Sequence, residues 1–367
     1  MIILWVDNFS RGGLEKSINF LVGELCRVKN PVTIFSLHGS RPFFKNYSNL
    51  ASHAVNIVFF NSYLDAYINL LRHLRLGNTV ISLKNHIPLI AASYLFRCSH
   101  GLCIRHSNSL ISGFRKPLLH RNTFFNLNLT FMGFMIRCLI YRLAPYHVAN
   151  SLENSLLVES FTGRRCFTFF TLERRSSESI PLIPKTIAGH KRVLWTGRYC
   201  ASKGVAQLPF ILHHFISESK TRFPNLTVEF SVYTNNVKQM SELFSREFPS
   251  FNRHIHIKPW ANNIRHEDYD AVLFTSLHEG LSNAFLEALF SQVPVVVPVT
   301  SSGFLEFVHS RSGIYAYSPL SLSSFSSSLS SALALSVLPD YQSSPSDMPN
   351  DQLIARLNQQ FLEWICT

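Results

Sequence analysis

Two glutamates, Glu279 and Glu287, stand eight positions apart in the stretch HEGLSNAFLEAL, residues 278–289. A carboxylate can accept hydrogen bonds from two neighbouring hydroxyls, as in a ribose. The preceding AVLFTS reads as a strand, so Leu277 to Ser282 form its exit loop. Ser282 then becomes the N-cap of a helix that opens at Asn283. The free N–H groups of that first turn favour an anion. Glu279 precedes the cap, and Glu287 lies about 7 Å further along the helix axis. Its neighbours Ala284, Leu286, Ala288 and Leu289 are apolar, which argues against a fully solvated carboxylate.

Two other loops offer compatible chemistry. LWTGRYCASKG holds Gly197, Arg198, Lys203 and Gly204 between a strand and a helix. Arginine presents a planar fork and lysine a point charge, so the two can clamp a diphosphate. An ordinary solvated surface is the plain alternative. VDNFSRGGLEK places Gly12 and Gly13 between another strand and helix. Backbone there can approach an anion at a helix N-terminus, although a structural turn explains the glycines equally well. This is not the G-x-G-x-x-G dinucleotide fingerprint.

The elements that must position these residues alternate along the chain. IILWVD, VTIFSL, VNIVFF, TVISL, GLCIRH and YHVAN read as strands of a first half, with helical GGLEKSINFLVGELCRV and LDAYINLLRHLRL among them. RVLWTG, LTVEFSVY, IHIKPW, DAVLFTS and PVVVPV are strands of a second half, with helices between them. Such βαβ series predict parallel sheets covered on both faces, with ligands outside the carboxyl ends of the strands. The expected organisation is a Rossmann-like domain over 1–172, a linker over 173–190, a second Rossmann-like domain over 191–350 and a terminal helix over 351–367. The serine-rich SPLSLSSFSSSLSSALAL looks like low complexity. Leu322, Phe325, Leu329 and Leu333 nevertheless recur at helical spacing, which predicts an amphipathic helix.

The chain has 367 residues and a formal net charge of +12. Residues 1–170 hold 18 Lys and Arg against 6 Asp and Glu, so the whole excess lies there. No acid occurs between Asp65 and Glu153, a span with ten Lys and Arg. One basic half points to a polyanionic partner or to a solvated basic surface. Nucleic acid is disfavoured, because no aromatic-basic motif or helix-turn-helix is evident. The seven cysteines show no C-x-x-C pair and read as reduced thiols of a cytosolic protein. MIILWVDN reads as a strand rather than a leader. LTFMGFMIRCLIYRLA is interrupted by Arg137 and Arg142, which suits an interfacial helix better than a spanning one.

Taken together, the three loops resemble glycosyltransferase family 4, the retaining nucleotide-sugar transferases of GT-B fold. The resemblance covers roughly residues 1–335. It rests on Gly12-Gly13-Leu14-Glu15, on Gly197-Arg198 with Lys203-Gly204, and on Glu279 to Glu287 with the intervening Gly280, Leu281, Ser282 and Asn283. It implies two Rossmann-like domains facing a central cleft. Arg198 and Lys203 would hold the donor diphosphate, Glu287 the ribose, and Glu279 the donor sugar. The IRHSNS stretch is similar to the family's strand-end histidine, which would put His106 beside the transferred sugar. The implied reaction is retaining transfer to a glycan or lipid-linked acceptor in bacterial envelope polysaccharide synthesis, at the cytoplasmic membrane face. No metal or other cofactor is implied. The chain departs from the family pattern at SVYTNN, which lacks a glycine pair, at Gln292-Val293 before Pro294, and at the linker TLERRSSE. A catalytically silent nucleotide-binding or polyanion-binding protein and a non-hydrolysing sugar-nucleotide epimerase are the competing readings.

Overall fold

Short apolar, β-branched runs form the strands, and every described strand pair is parallel. The structure is a computed structural model. It describes residues 1–7, 13–28, 30–37, 55–83, 86–106, 123–170, 189–248, 253–261, 264–277, 281–299, 303–304, 307, 313–335 and 349–366. The chain divides into two units, one of residues 1–173 with 350–367 and one of residues 174–349.

The first unit contains β1 (Ile2–Val6), β2 (Val32–Leu37), β3 (Val55–Phe60), β4 (Thr79–Ser82), β5 (Leu102–His106), β6 (Tyr146–Ala149) and β7 (Cys166–Thr168). They pair in the order β3-β2-β1-β4-β5-β6-β7. Parallel neighbours need long crossovers. Here these include α1 (Gly13–Arg27), α2 (Tyr63–Arg75), α3 (His86–Leu95), α4 (Thr123–Tyr141) and α5 (Leu152–Thr162). Alternation along each strand divides the core. Leu4, Ile34, Cys103 and Val148 pack against Ile18, Val22 and Leu25 of α1 on one face. Ile3, Trp5, Val80 and Ile104 pack against Ala66, Leu70, Leu89, Ile90 and Val158 on the other.

The second unit contains β8 (His190–Thr196), β9 (Thr227–Thr234), β10 (Ile255–Pro259), β11 (Ala271–Leu273), β12 (Val295–Pro298) and β13 (Ile314–Tyr317), in the order β10-β9-β8-β11-β12-β13. Its helices are α6 (Leu208–Arg222), α7 (Val237–Glu247), α8 (Asn283–Phe290) and α9 (Leu322–Leu335). The serine-rich segment is helical, as its spacing predicts. Phe325, Leu329 and Leu333 are buried, while Leu322 is exposed and stands off the stripe. Ser321 caps this helix by accepting the Ser324 N–H at 3.1 Å.

The last helix, α10 (Pro349–Cys366), packs on the first unit. Its Phe361, Leu362 and Ile365 join the α1 face of the core. Trp364 stacks on Phe167 at 4.9 Å, and Asn358 clamps the Phe170 backbone with bonds of 2.8 and 2.9 Å.

One departure from the family pattern acquires a physical meaning. Gln292 follows α8 with φ of 54°, a left-handed conformation. Its N–H reaches the Leu289 carbonyl, and the Val293 N–H reaches that of Ala288. This is a Schellman cap, whose left-handed position normally takes glycine. A side chain there costs about 1–2 kcal/mol. Gln292→Gly is therefore expected to stabilise the second unit by about 0.5–1 kcal/mol once the entropy of the freer unfolded chain is deducted. Gln292→Val should lower stability, and denaturant midpoints will show both shifts.

Candidate functional site

In a parallel sheet the space outside the strand ends opens where the strand order reverses. In the second unit that point lies between β8 and β11. The loop after β8 carries Arg198 and Lys203, and the segment after β11 leads into α8. These two loops are joined directly. The Trp195 indole N–H donates to Thr275 Oγ1 at 2.9 Å, and the Thr275 hydroxyl donates to the Lys203 carbonyl at 2.6 Å. The Leu277 N–H donates to the Ser202 carbonyl at 3.0 Å.

Two glycines allow this approach. Gly204 has φ of +66°, and a Cβ there would sit 2.0 Å from the Thr275 carbonyl oxygen. At Gly197 a Cβ would meet the Trp195 ring at 2.8 Å. Lys203 closes a 3-10 turn over Ala201–Lys203 and is half-buried, whereas Arg198 is exposed. The loop after β9 joins them, since Asn235 Oδ1 accepts the Tyr199 N–H at 2.7 Å. Asn236 caps α7 by accepting the Gln239 N–H at 3.1 Å. The two asparagines thus have structural roles where the family often carries glycines.

Ser282 is the N-cap residue of α8 by position, and its side chain accepts no capping bond. Leu281 and Ser282 are buried, while Asn283 and Glu287 are half-buried. Phe285 anchors the helix among Phe274, Phe304 and Phe307, with ring centroids 4.8–5.8 Å apart. Arg198, Lys203, Leu281, Ser282, Asn283 and Glu287 thus belong to one unit, on loops and a helix that leave neighbouring strands. Glu279, Gly280 and Gly12 lie outside the described residues.

The remaining candidates belong to the first unit. Gly13 opens α1, and His106 ends β5. His106 is buried at 5% exposure, and its Nε2 lies 2.9 Å from Nδ1 of the buried His147. Tyr141 meets the His106 ring edge-on at 5.1 Å. Desolvation pulls the His147 pKa down to about 4, outweighing support from the Tyr141 and Ala144 carbonyls. His147 is thus neutral at pH 7, and in a neutral pair one imidazole donates while the other accepts.

Solved structures share this architecture across the whole chain. A structure of Anabaena Alr3699/HepE in complex with UDP is 14% identical, covers 100% of both chains and has a TM-score of 0.61. TarM is 11% identical over 99% of this chain and 95% of its own, with a TM-score of 0.65. The lipopolysaccharide outer core galactosyltransferase WaaB is 15% identical over 92% of each chain, at 0.59. The chain has the GT-B fold. No protein-family model and no curated protein sequence matches it.

Within this GT-B frame, several positioning residues carried no sequence signal. Thr275, Trp195 and Asn235 tie the loops together, yet each reads as an ordinary strand or turn residue. His147 was equally silent, because its partner lies 41 positions away. Among the described residues no cluster of three His, Cys, Asp or Glu could hold a metal ion.

Gly204→Ala is expected to destabilise the second unit by about 2 kcal/mol or more, since both its backbone angle and its contact are disallowed. Gly23→Ala in α1 meets nothing within 4 Å. It should gain about 0.5–1 kcal/mol, and paired thermal unfolding of the two variants checks the contrast.

His147 adds a pH dependence. The folded-state pKa of about 4 lies below the ordinary 6.5, so the unfolded chain binds the extra proton between these values. This contribution is complete above about pH 6.5 and is lost as pH falls toward about 4. His147→Phe is expected to flatten part of that slope in denaturant titrations across the window.

Proposed function

We propose that the chain is a retaining glycosyltransferase. It moves a sugar from a nucleotide-diphosphate donor to a hydroxyl of a glycan or lipid-linked acceptor in bacterial envelope polysaccharide synthesis. One observation carries this reading. The Arg198–Lys203 loop is bonded to the segment entering α8 at the switch point of the second sheet of a GT-B fold. Two cations and a helix start suit a diphosphate. Glu287, one turn inside α8, suits the ribose diol. The similar HepE structures are complexes with UDP and with UDP-glucose, and WaaB is a lipopolysaccharide outer core galactosyltransferase. These neighbours support a UDP-sugar and an envelope acceptor as the first choices.

In this reading the bond between the sugar's anomeric carbon and the terminal phosphate oxygen breaks, and its electron pair stays on that oxygen. Arg198, Lys203 and the amides around Ser282 and Asn283 stabilise the growing charge more than the ground state. The two side chains take the part a metal ion would otherwise play. The acceptor hydroxyl oxygen attacks the oxocarbenium-like carbon from the face the phosphate leaves. Its proton passes to the departing phosphate. Glu279 and His106 serve the sugar's hydroxyls and its developing positive charge.

The basic half then serves an anionic membrane surface, on which the enzyme sits peripherally at the cytoplasmic face. No described helix is long and apolar enough to cross a membrane. The helices α2, α3 and α4 pack side by side. Their outer faces expose Leu64, Ile68, Leu95, Met132, Ile136 and Leu139. Arg72, Arg97 and Arg137 are exposed beside them, in or near the acid-free span. Apolar residues interleaved with arginine suit the interface of an anionic bilayer.

Lys203→Ala and Glu287→Ala are each expected to cut sugar transfer by about a hundredfold with unfolding midpoints little changed. Wild-type rates in both would sink the assignment. A thermal-shift screen against UDP- and GDP-sugars selects the donor for that assay. Inversion at the sugar's second carbon without an acceptor would instead make the protein an epimerase. In flotation with anionic vesicles, Ile136→Glu with Leu139→Glu should weaken binding by about tenfold or more. Equal flotation on neutral and anionic vesicles at low salt would remove the electrostatic part of the membrane reading.

A further inference from the structure

Arg105 is the penultimate residue of β5, so its side chain leaves the sheet on the face opposite His106. Only 6% of it is exposed. It lines a narrow crevice with Ser17 and Leu21 of α1, Val148 of β6, Phe169 and Phe361. No hydrogen bond or ion pair joins it to another described residue. Desolvation lowers its pKa to about 10, which leaves it a cation at neutral pH.

An unpaired buried charge is among the costliest features a fold can carry. Elsewhere in this protein a buried cation is matched, as Lys191 is by Asp270 at 3.4 Å. Arg105 also stands at the carboxyl edge of a parallel sheet, where ligands of such folds bind. Its planar fork matches a phosphate or carboxylate in bidentate fashion.

We propose that Arg105 is an anion-binding residue of the first unit, and that its guanidinium takes an oxyanion carried by the acceptor. The acceptor part of this proposal rests on the glycosyltransferase reading; the anion site itself does not. The anion and the guanidinium meet by movement of the side chain, and not by filling a hole.

The test is thermal unfolding of the full chain with inorganic phosphate, and separately with acetate, at constant ionic strength. Four proteins are compared: wild type, Arg198→Ala, Arg105→Met and Arg105→Lys. Arg198→Ala removes the proposed donor site from the response. A phosphate-dependent or acetate-dependent rise in midpoint is expected to persist in Arg198→Ala and to vanish in Arg105→Met. The more effective ion identifies the oxyanion class. Arg105→Met without ligand should unfold at or above the wild-type midpoint, because the unpaired charge is gone. Arg105→Lys keeps the charge without the fork, so its response should fall severalfold. If Arg105→Met does not fold, the Arg105→Lys comparison decides. An undiminished response in either Arg105 variant overturns the proposal, as does the absence of any response in Arg198→Ala. These readings need no sugar transfer, so they stay interpretable if the transferase reading fails.

Discussion

The Thr275 hydroxyl accepts a hydrogen bond from the Trp195 indole N–H and donates one to the Lys203 carbonyl, at 2.9 and 2.6 Å. Trp195 and Thr275 are both 2% exposed, so neither can exchange its partner for water at low cost. The relay joins the end of β8, the turn that carries Lys203 and the end of β11. Gly204 lets that turn press on the Thr275 carbonyl, and Gly197 leaves room above the indole ring. The cations of the candidate donor site are thus held by backbone that cannot relax independently. Preorganisation of this kind is what an electrostatic site requires, because a loop free to reorient loses much of its differential stabilisation.

Parallel pairing explains why those loops meet at all. All strands of a sheet point the same way, so every strand-to-helix loop leaves from one edge. The order β10-β9-β8-β11-β12-β13 sends the connections after β8 and β11 in opposite directions. The Phe274, Phe285, Phe304 and Phe307 cluster then fixes the direction of α8. Many of the chain's 31 phenylalanines act in this way, building a core with little charge beneath loops that carry it. The first unit uses the same plan, and α10 completes it. Phe361, Leu362 and Ile365 cover part of the face that α1 leaves open, so burial of that face outweighs continuity with the unit that precedes it in sequence.

The end of β5 shows how one strand serves two environments. Successive side chains point to opposite faces, so Arg105 and His106 enter different layers of the first unit. His106 finds a histidine partner among aromatic rings. Arg105 enters an apolar crevice. Buried polarity at a strand's carboxyl end carries a desolvation cost.

Much of this protein was legible in its residue order. The period of the apolar residues identified the alternating strands and helices, because burial on a sheet face or helix stripe repeats over short distances. The serine-rich tract over 322–335 is helical for that reason despite its composition. The candidates Arg198, Lys203 and Glu287 could also be named from the sequence, because the strand-loop-helix pattern puts Arg198 and Lys203 on the loop after one strand and Glu287 on the helix that follows another. Tertiary structure alone decided which loops touch. Thr275 and Lys203 are 72 positions apart, and His106 and His147 are 41 apart. Their contacts depend on strand order, and strand order depends on which assembly of sheets and helices buries the most apolar surface. No local pattern carries that information. The left-handed turn at Gln292 and the burial of Arg105 belong to the same class, since each is imposed by neighbours distant in sequence.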